Sequence, residues 1–133
     1  CLGIEALMGH SEESGGVECL GAFPGDTVHF AAPDAQPDGV RRKIPHMGWN
    51  QVRQERHHPL WKDIAPASWF YFVHSYYVVP SDERHIAGTT DYGVRFASVI
   101  LRPNVFAVQF HPEKSQSAGL QLLANFLEWD GAA

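Results

Sequence analysis

Residues 69–79 have the sequence WFYFVHSYYVV, the strongest strand signal in the chain. Aromatic and β-branched side chains favour a pleated, buried surface, and Pro80, which has no backbone N–H group, ends the run. Because the run is apolar over most of its length, it predicts a strand in the centre of a sheet rather than at its edge.

Three further strands are predicted downstream, at residues 85–90, 94–101 and 105–110. Short runs of turn-forming residues, 91–93 (DYG) and 102–104 (RPN), separate them. Turns of this kind join neighbouring antiparallel strands, so the pattern predicts consecutive hairpins.

The last predicted element is a helix that begins at Ser115 or Ser117, either of which can cap its first amides. Its predicted buried face recurs at helical spacing and consists of Leu120, Leu123, Ala124 and Leu127. Gly131 supplies the stop.

The first half of the chain predicts a short helix over residues 2–8 and short strands over residues 27–30 and 51–53, with a turn at 45–50. A helical turn is expected at 59–64. Helices at both ends with strands between them predict an α/β or α+β fold. Because no stretch has the composition of a linker, we expect residues 1–133 to form one domain.

The composition is that of a globular domain. Hydrophobic residues make up 44% of the 133 residues, and 10 Lys+Arg against 15 Asp+Glu give a net charge of −5. This composition argues against a disordered tail, and the negative net charge argues against a protein that binds the phosphates of nucleic acids. The basic residues 41–43 (RRK) are expected in a solvated loop. No apolar run approaches the ~20 residues of a membrane-spanning helix. Two cysteines cannot build a disulfide framework, which favours a reducing, cytoplasmic setting.

Cys1 is the candidate nucleophile. It precedes Leu2, Gly3 and the predicted helix, and the partial positive charge at a helix N-terminus favours a thiolate. Backbone N–H groups there can also hold an oxyanion. A lone cysteine is also compatible with a small packed residue. Since the sequence starts on Cys1 rather than on methionine, we expect further sequence upstream.

His111 is the candidate base, in the tripeptide His111-Pro112-Glu113 at the end of a predicted strand. Pro112 holds the preceding residue in an extended conformation, and residues two apart in an extended chain point to the same side. Glu113 can therefore accept a hydrogen bond from one ring nitrogen while the other faces a thiol. A surface histidine paired with a nearby glutamate fits the same spacing.

Neither a metal nor a cofactor is predicted. The eight histidines are scattered, and the adjacent pair His57 and His58 lacks the spacing of zinc ligands. Cys19 has no second cysteine two residues away and is expected to be packed.

Five segments resemble those of class I (triad) glutamine amidotransferases, and more narrowly those of the glutaminase subunits of imidazole glycerol phosphate synthases. They are residues 1–3 (CLG), 45–50 (PHMGWN), 72–76 (FVHSY), 89–93 (TTDYG) and 109–116 (QFHPEKSQ). The resemblance implies a flavodoxin-like α/β domain with a mixed sheet flanked by helices, of which this chain would be the C-terminal portion.

The resemblance also implies a Cys-His-Glu triad. Cys1 would attack the side-chain amide of glutamine, His111 would transfer the protons and Glu113 would orient His111. The Leu2 amide matches an oxyanion donor of the family, whose second donor lies in a segment that precedes the nucleophile.

A binding site for L-glutamine is implied as well. Glu13 matches the acidic residue that holds the α-amino group, and His74, Ser75 and Tyr76 match the segment that lines the amino-acid end. Glu5 stands where the family usually has glutamine, and a carboxylate there repels the substrate carboxylate unless it is protonated or paired.

The implied partner is a cyclase subunit with a (β/α)8 barrel, which receives ammonia and makes imidazole glycerol phosphate in histidine biosynthesis. The matching contact positions are Met47, Trp49, Asn50, Tyr71 and Lys114. Exposed tryptophan and methionine suit a subunit contact, although residues 47–49 are equally typical of a tight turn under an aromatic side chain.

Two other interpretations fit part of the sequence. In an N-terminal nucleophile hydrolase, the α-amine of Cys1 would be the base and the His111 pair would have no role. In a truncated, non-catalytic fragment, the cyclase-contact surface would persist without catalysis, and uncovered apolar faces would lead to poor solubility or oligomers.

Overall fold

A computed structural model describes residues 2–32 and 38–132 of the chain. Within these two ranges the chain forms two α-helices and nine β-strands. The helices are α1 (Leu2–Ala6) and α2 (Gln116–Glu128). The strands are β1 (Met8–Ser11), β2 (Val17–Glu18), β3 (Phe23–His29), β4 (His46–Gln54), β5 (Ser68–His74), β6 (Tyr76–Pro80), β7 (Ile86–Asp91), β8 (Arg95–Arg102) and β9 (Val105–Val108).

The strands form one mixed sheet, in the order β2-β1-β3-β6-β8-β7-β4-β5, with β9 also paired to β8. β1 and β3 are parallel, and the other pairs among the described residues are antiparallel. The predicted α/β class, with a mixed sheet and flanking helices, is confirmed.

The predicted hairpins are present. β7 pairs with β8 from Ile86↔Ile100 to Asp91↔Arg95, and β8 pairs with β9 from Val99↔Val108 to Arg102↔Val105. Both connections are short turns between neighbouring strands, which is why local sequence signals were sufficient to find them.

The central position predicted for residues 69–79 is correct for one half of the segment and wrong for the other. β6 lies between β3 and β8, whereas β5 is the last strand of the path among the described strands. The chain changes direction at Ser75, which separates the two strands. The outer edge of β5 is nevertheless covered, since His111 N–H donates to the Tyr71 carbonyl (2.9 Å) and Tyr71 N–H donates to the Ser115 hydroxyl (3.0 Å).

The turn predicted at residues 45–50 is wrong, because β4 runs without interruption from His46 to Gln54. Seven of its residues pair with β5, from His46↔His74 to Val52↔Ser68. The Gly and Asn residues of the segment indicate a turn locally, but the long ladder with an apolar neighbour overrides that preference. Nearby boundaries also differ, since β3 begins at Phe23 and α1 ends at Ala6, which leaves buried Met8 in β1.

The buried face of α2 is not the predicted one. Gly119, Leu122 and Asn125 are buried, whereas the predicted residues Leu120, Leu123, Ala124 and Leu127 are exposed. Two features set the rotation of the helix. A side chain at position 119 would collide with the backbone of the preceding turn, so only a glycine at this position allows the helix to pack closely on that turn. In addition, the Asn125 amide donates to two backbone carbonyls of residues 60 and 62, both at 2.8 Å.

Within the part of the chain that the structure describes, the core comprises two groups of buried apolar residues. The larger surrounds Phe30, Phe72 and Phe96, and the smaller surrounds Met8, Phe23 and Val78. Among the described residues, the structure contains no helix with the length and apolarity needed to span a membrane.

Candidate active site

His111 and Glu113 form the best-defined polar pair of the site. His111 Nδ1 lies 2.8 Å from Glu113 Oε1. Since a carboxylate oxygen accepts, the shared proton sits on Nδ1 and Nε2 is the ring atom that is free to face a reacting group. The predicted same-side geometry of the tripeptide is thus present, with His111 in an extended conformation (φ −103°, ψ 99°).

The backbone of His111 is fixed on both sides. Its N–H donates to the Tyr71 carbonyl of β5 (2.9 Å), and its carbonyl accepts from the Ser115 hydroxyl (2.6 Å). The preceding ring, Phe110, packs against Phe70 at a centroid distance of 4.2 Å. Ser115 was predicted as a possible helix cap, but its hydroxyl instead joins the His111 turn to β5.

Glu113 is ionised in this environment. Partial burial opposes ionisation, but the Glu113 backbone amide, His111 and Lys114 outweigh that effect and lower the pKa of the carboxyl group. The pair therefore carries a carboxylate that stabilises a protonated imidazole ring.

Cys1 lies outside the described residues. α1 begins at Leu2, directly after it, as predicted, and includes the buried residues Ile4 and Glu5. Leu2 itself is exposed.

A cavity of about 410 Å³ opens beside α1. Its lining brings together three predicted substrate residues, Leu2, Glu5 and Glu13, with Cys19 on the same wall. The prediction that Cys19 is packed is therefore wrong in part, because this half-buried thiol lines the cavity. The loop between β1 and β2 is fixed near Glu13, whose N–H donates to the Ser11 hydroxyl (3.1 Å).

Glu5 is paired with a residue that the sequence did not single out. Gln109 Nε2 donates to Glu5 Oε2 at 3.2 Å, and both side chains are buried. The Thr27 hydroxyl donates to the Glu5 carbonyl at 3.0 Å. Gln109 lies two residues before His111, so this contact ties α1 to the segment that carries His111.

The predicted segment His74, Ser75 and Tyr76 joins β5 to β6. His74 is buried in the core, and the Ser75 carbonyl accepts from the N–H of Phe30 (3.1 Å). The Tyr76 ring contacts His29 edge-on at 4.9 Å. Among the described residues that line the cavity beside α1, none belongs to this segment.

Four of the five predicted partner residues lie on one outer surface of β4 and β5. Met47 and Trp49 are exposed, the Trp49 ring contacts Tyr71 at 6.0 Å, and the Lys114 ammonium lies 6.0 Å from the Tyr71 ring centre. Asn50 projects from the opposite face of β4, because side chains alternate along a strand.

Trp69 completes this surface, although the sequence analysis assigned it only to a strand. It pairs with Gln51, lies on the same face as Tyr71, and is exposed. Alternation within residues 69–73 was the signal that could have identified it. Met47, Trp49 and Trp69 are exposed, and Tyr71 beside them is half-buried; we call these four side chains the aromatic face.

The remaining sequence predictions concern charge and metals. In the basic segment, Arg42 pairs with Asp38 (2.7 Å) and lowers the pKa of Asp38 to about 2. Within residues 2–32 and 38–132, no group of three or more His, Cys, Asp or Glu residues is arranged to hold a metal ion.

Comparison with known proteins identifies the class. A family model described as Glutamine amidotransferase class-I matches residues 1–129. The chain therefore belongs to the class I glutamine amidotransferases, and its mixed sheet with flanking helices is consistent with their flavodoxin-like fold.

Curated relatives give a narrower similarity. The chain is 54% identical over 131 residues to the protein of Methylococcus capsulatus named imidazole glycerol phosphate synthase subunit HisH, covering 98% of this chain and 60% of that one. It is 55% identical over 133 residues to the protein of the same name from Nitrosococcus oceani, covering 100% and 61%. It is also 53% identical over 131 residues to the protein of the same name from Pseudomonas putida, covering 98% of this chain and 61% of that one. The chain thus spans about 60% of the length of these relatives.

Proposed function

We propose that this protein is the glutaminase subunit of an imidazole glycerol phosphate synthase. It hydrolyses L-glutamine to glutamate and ammonia, and the ammonia passes to a cyclase subunit with a (β/α)8 barrel. Membership of the amidotransferase family and the names of the relatives support this proposal. The observation that carries it is the 2.8 Å contact of His111 Nδ1 with Glu113 Oε1, on a backbone fixed to β5.

The first half of the proposed reaction forms a thioester. His111 Nε2 takes the thiol proton of Cys1, and the sulfur attacks the carboxamide carbon of glutamine. The tetrahedral intermediate collapses when Nε2 gives that proton to the departing nitrogen, which leaves as ammonia. A glutamyl thioester remains on Cys1.

The second half releases glutamate. His111 Nε2 removes a proton from water, the water oxygen attacks the thioester carbon, and the proton returns to the sulfur as the C–S bond breaks. Glu113 stabilises the protonated ring in both halves. The Leu2 amide is the proposed oxyanion donor, a role worth about 3 kcal/mol in comparable sites.

Substrate recognition is proposed for the cavity and its surroundings. Glu13 binds the α-ammonium group of glutamine, with Ser75, Tyr76 and His74 at the amino-acid end. The pairing of Glu5 with Gln109 supports the interpretation that Glu5 is tolerated in the site because its charge is partly compensated by a hydrogen bond.

The aromatic face is the proposed cyclase contact, together with Lys114. Asn50, on the opposite face of β4, is not part of this surface. A cluster of exposed tryptophan and methionine side chains beside a half-buried tyrosine has the composition of a subunit interface, and the Lys114 contact with Tyr71 adds a positive charge at its margin. We place the reaction in the cytoplasm, a setting that the low cysteine content supports.

The test compares two nitrogen sources in the complex of the protein with its cyclase. Cys1→Ala and His111→Asn should each lower glutamine-dependent turnover by about 10³-fold or more while turnover with added ammonia is unchanged. His57→Gln is the matched control, since it removes an exposed imidazole, and it should retain full activity.

Other outcomes would contradict the proposal in distinct ways. Normal glutamine-dependent turnover in Cys1→Ala would exclude the triad. If the unmodified complex used ammonia but not glutamine, the non-catalytic alternative would replace the enzymatic one.

A further inference from the structure

Two buried histidines face each other across β4 and β5. His46 and His74 are opposite each other in the strand register, and His46 Nδ1 lies 2.9 Å from His74 Nε2. Both residues are at most 5% exposed. His46 is also stacked between Tyr92 and Phe72, at centroid distances of 4.0 and 4.9 Å.

The partners at the two ends of this pair fix the position of each proton. The Tyr76 carbonyl, 2.7 Å from His74 Nδ1, can only accept, so Nδ1 carries a hydrogen. A neutral His74 then accepts at Nε2 from His46 Nδ1–H. His46 Nε2 in turn accepts from the Asn50 amide at 3.3 Å, and that amide also donates to the Asp91 carbonyl at 2.8 Å.

The chain of hydrogen bonds therefore runs in one direction, from Asn50 through His46 and His74 to the Tyr76 carbonyl. Both histidines are neutral and both carry hydrogen on Nδ1. A proton added to His46 Nε2 would point at the Asn50 amide hydrogens, so the arrangement disfavours the charged form. Burial acts in the same direction and lowers the pKa of His46 to about 4 and that of His74 to about 3.

The two ends of this series of hydrogen bonds lie in different parts of the proposed enzyme. Asn50 is on β4, whose alternate residues Met47 and Trp49 form part of the aromatic face. The carbonyl of Tyr76 belongs to the segment assigned to the amino-acid end of glutamine. That segment is connected to the loop of Glu13, because the Tyr76 ring contacts His29 and the His29 N–H donates to Glu12 (3.0 Å).

We propose that His46 and His74 are positioning residues that hold the backbone at residues 75–76 in the glutamine-binding arrangement through this directed chain of hydrogen bonds. The inference rests on the proposed function. Neither ring touches the reacting atoms, so loss of these hydrogen bonds raises KM for glutamine and leaves kcat close to its original value.

Kinetics of the complex with its cyclase test this role. His46→Phe keeps an aromatic ring in the stack and removes the hydrogen bonds, so KM for glutamine should rise about tenfold, as expected for a lost buried hydrogen bond. His46→Gln, which retains an N–H donor, should recover part of that loss. His58→Phe is the matched control. It replaces a buried histidine that is not part of this series of hydrogen bonds, so KM for glutamine should be unchanged.

The tautomers provide a measurement on the unmodified protein. Long-range ¹H–¹⁵N spectra at neutral pH should find hydrogen on Nδ1 of both histidines. Hydrogen on Nε2 of either ring, or an unchanged KM in His46→Phe with normal glutamine-dependent turnover, would overturn the inference alone. Absence of glutamine-dependent turnover in the unmodified complex would overturn the proposed function together with it.

Discussion

Acid should destabilise this protein through His46 and His74. In the unfolded chain a histidine has a pKa near 6.5, whereas in the folded protein the pKa of His46 is about 4 and that of His74 about 3. The unfolded state therefore binds more protons between these values. The free energy of unfolding is fully retained above pH 6.5 and falls as the pH drops toward the folded-state values.

The size of the effect follows from the same pKa values. At pH 4.5, two units below the unfolded pKa, both rings are protonated in the unfolded chain and largely neutral in the folded protein. Each unit corresponds to about 1.4 kcal/mol, so the two rings together remove about 5 kcal/mol of stability relative to pH 7. That is comparable to the whole stability of many domains. Burial also lowers the pKa of His58, which adds to the loss.

Denaturant titrations between pH 7 and 4.5, followed by tryptophan fluorescence, measure this dependence. At pH 4.5, the lower limit of these titrations, Asp38 and Asp82 are still ionised, since the arginine paired with each lowers its pKa to about 2. His46→Phe should lose about half of the pH dependence that the His46–His74 pair contributes, because one of the two rings of the pair is gone. His57→Gln, at an exposed position, should retain it. A free energy of unfolding that stays constant across this range would refute the argument.

Three further predictions concern the site and its surface. Glu113→Gln preserves a hydrogen-bond acceptor but removes the charge that stabilises the protonated ring, so kcat with glutamine should fall about 10²-fold, as measured by glutamate release; an unchanged kcat would contradict the role of the carboxylate. Trp49→Ala should weaken cyclase binding about 30-fold by calorimetry, the effect of losing an anchor worth about 2 kcal/mol, while Val79→Ala at an exposed position of β6 should not; equal effects would show that the aromatic face is not the contact. Glu5→Gln removes a negative charge from the cavity, so KM for glutamine should decrease in initial-rate measurements, and an unchanged KM would show that Glu5 does not repel the substrate.

Local signals predicted the parts of the fold that are formed by neighbours in sequence. The hairpins of β7, β8 and β9 depend on short turns and apolar strands, and both features are visible within about ten residues. Only residues 51–53 of β4 were predicted as a strand, because the glycine and asparagine residues before them favour a turn when taken alone. Its strand conformation comes from pairing with β5, which no local pattern describes.

The helix α2 illustrates a different limit. Its leucines recur at helical spacing, but the helix has apolar side chains around much of its circumference, so periodicity did not define one face. Gly119 and the Asn125 hydrogen bonds determine which side is buried. Gly119 packs on the backbone of the preceding turn, and Asn125 bonds to the distant carbonyls of residues 60 and 62.

The candidate site divides in the same way. The His111–Glu113 pair was predictable because its geometry is contained in three consecutive residues. The contact between Glu5 and Gln109 and the pairing of His46 with His74 join positions 104 and 28 residues apart, so they required the strand register.

Covalent trapping of the nucleophile tests the central claim most directly. A glutamine analogue with a reactive diazoketone in place of the carboxamide should alkylate the catalytic thiol of the complex, and peptide mass spectrometry separates the two cysteines of the chain. The account predicts modification of Cys1, protection by glutamine, and much slower reaction in His111→Asn. Modification of Cys19 instead, or equal labelling of Cys1 in His111→Asn, would contradict a Cys1-His111-Glu113 glutaminase.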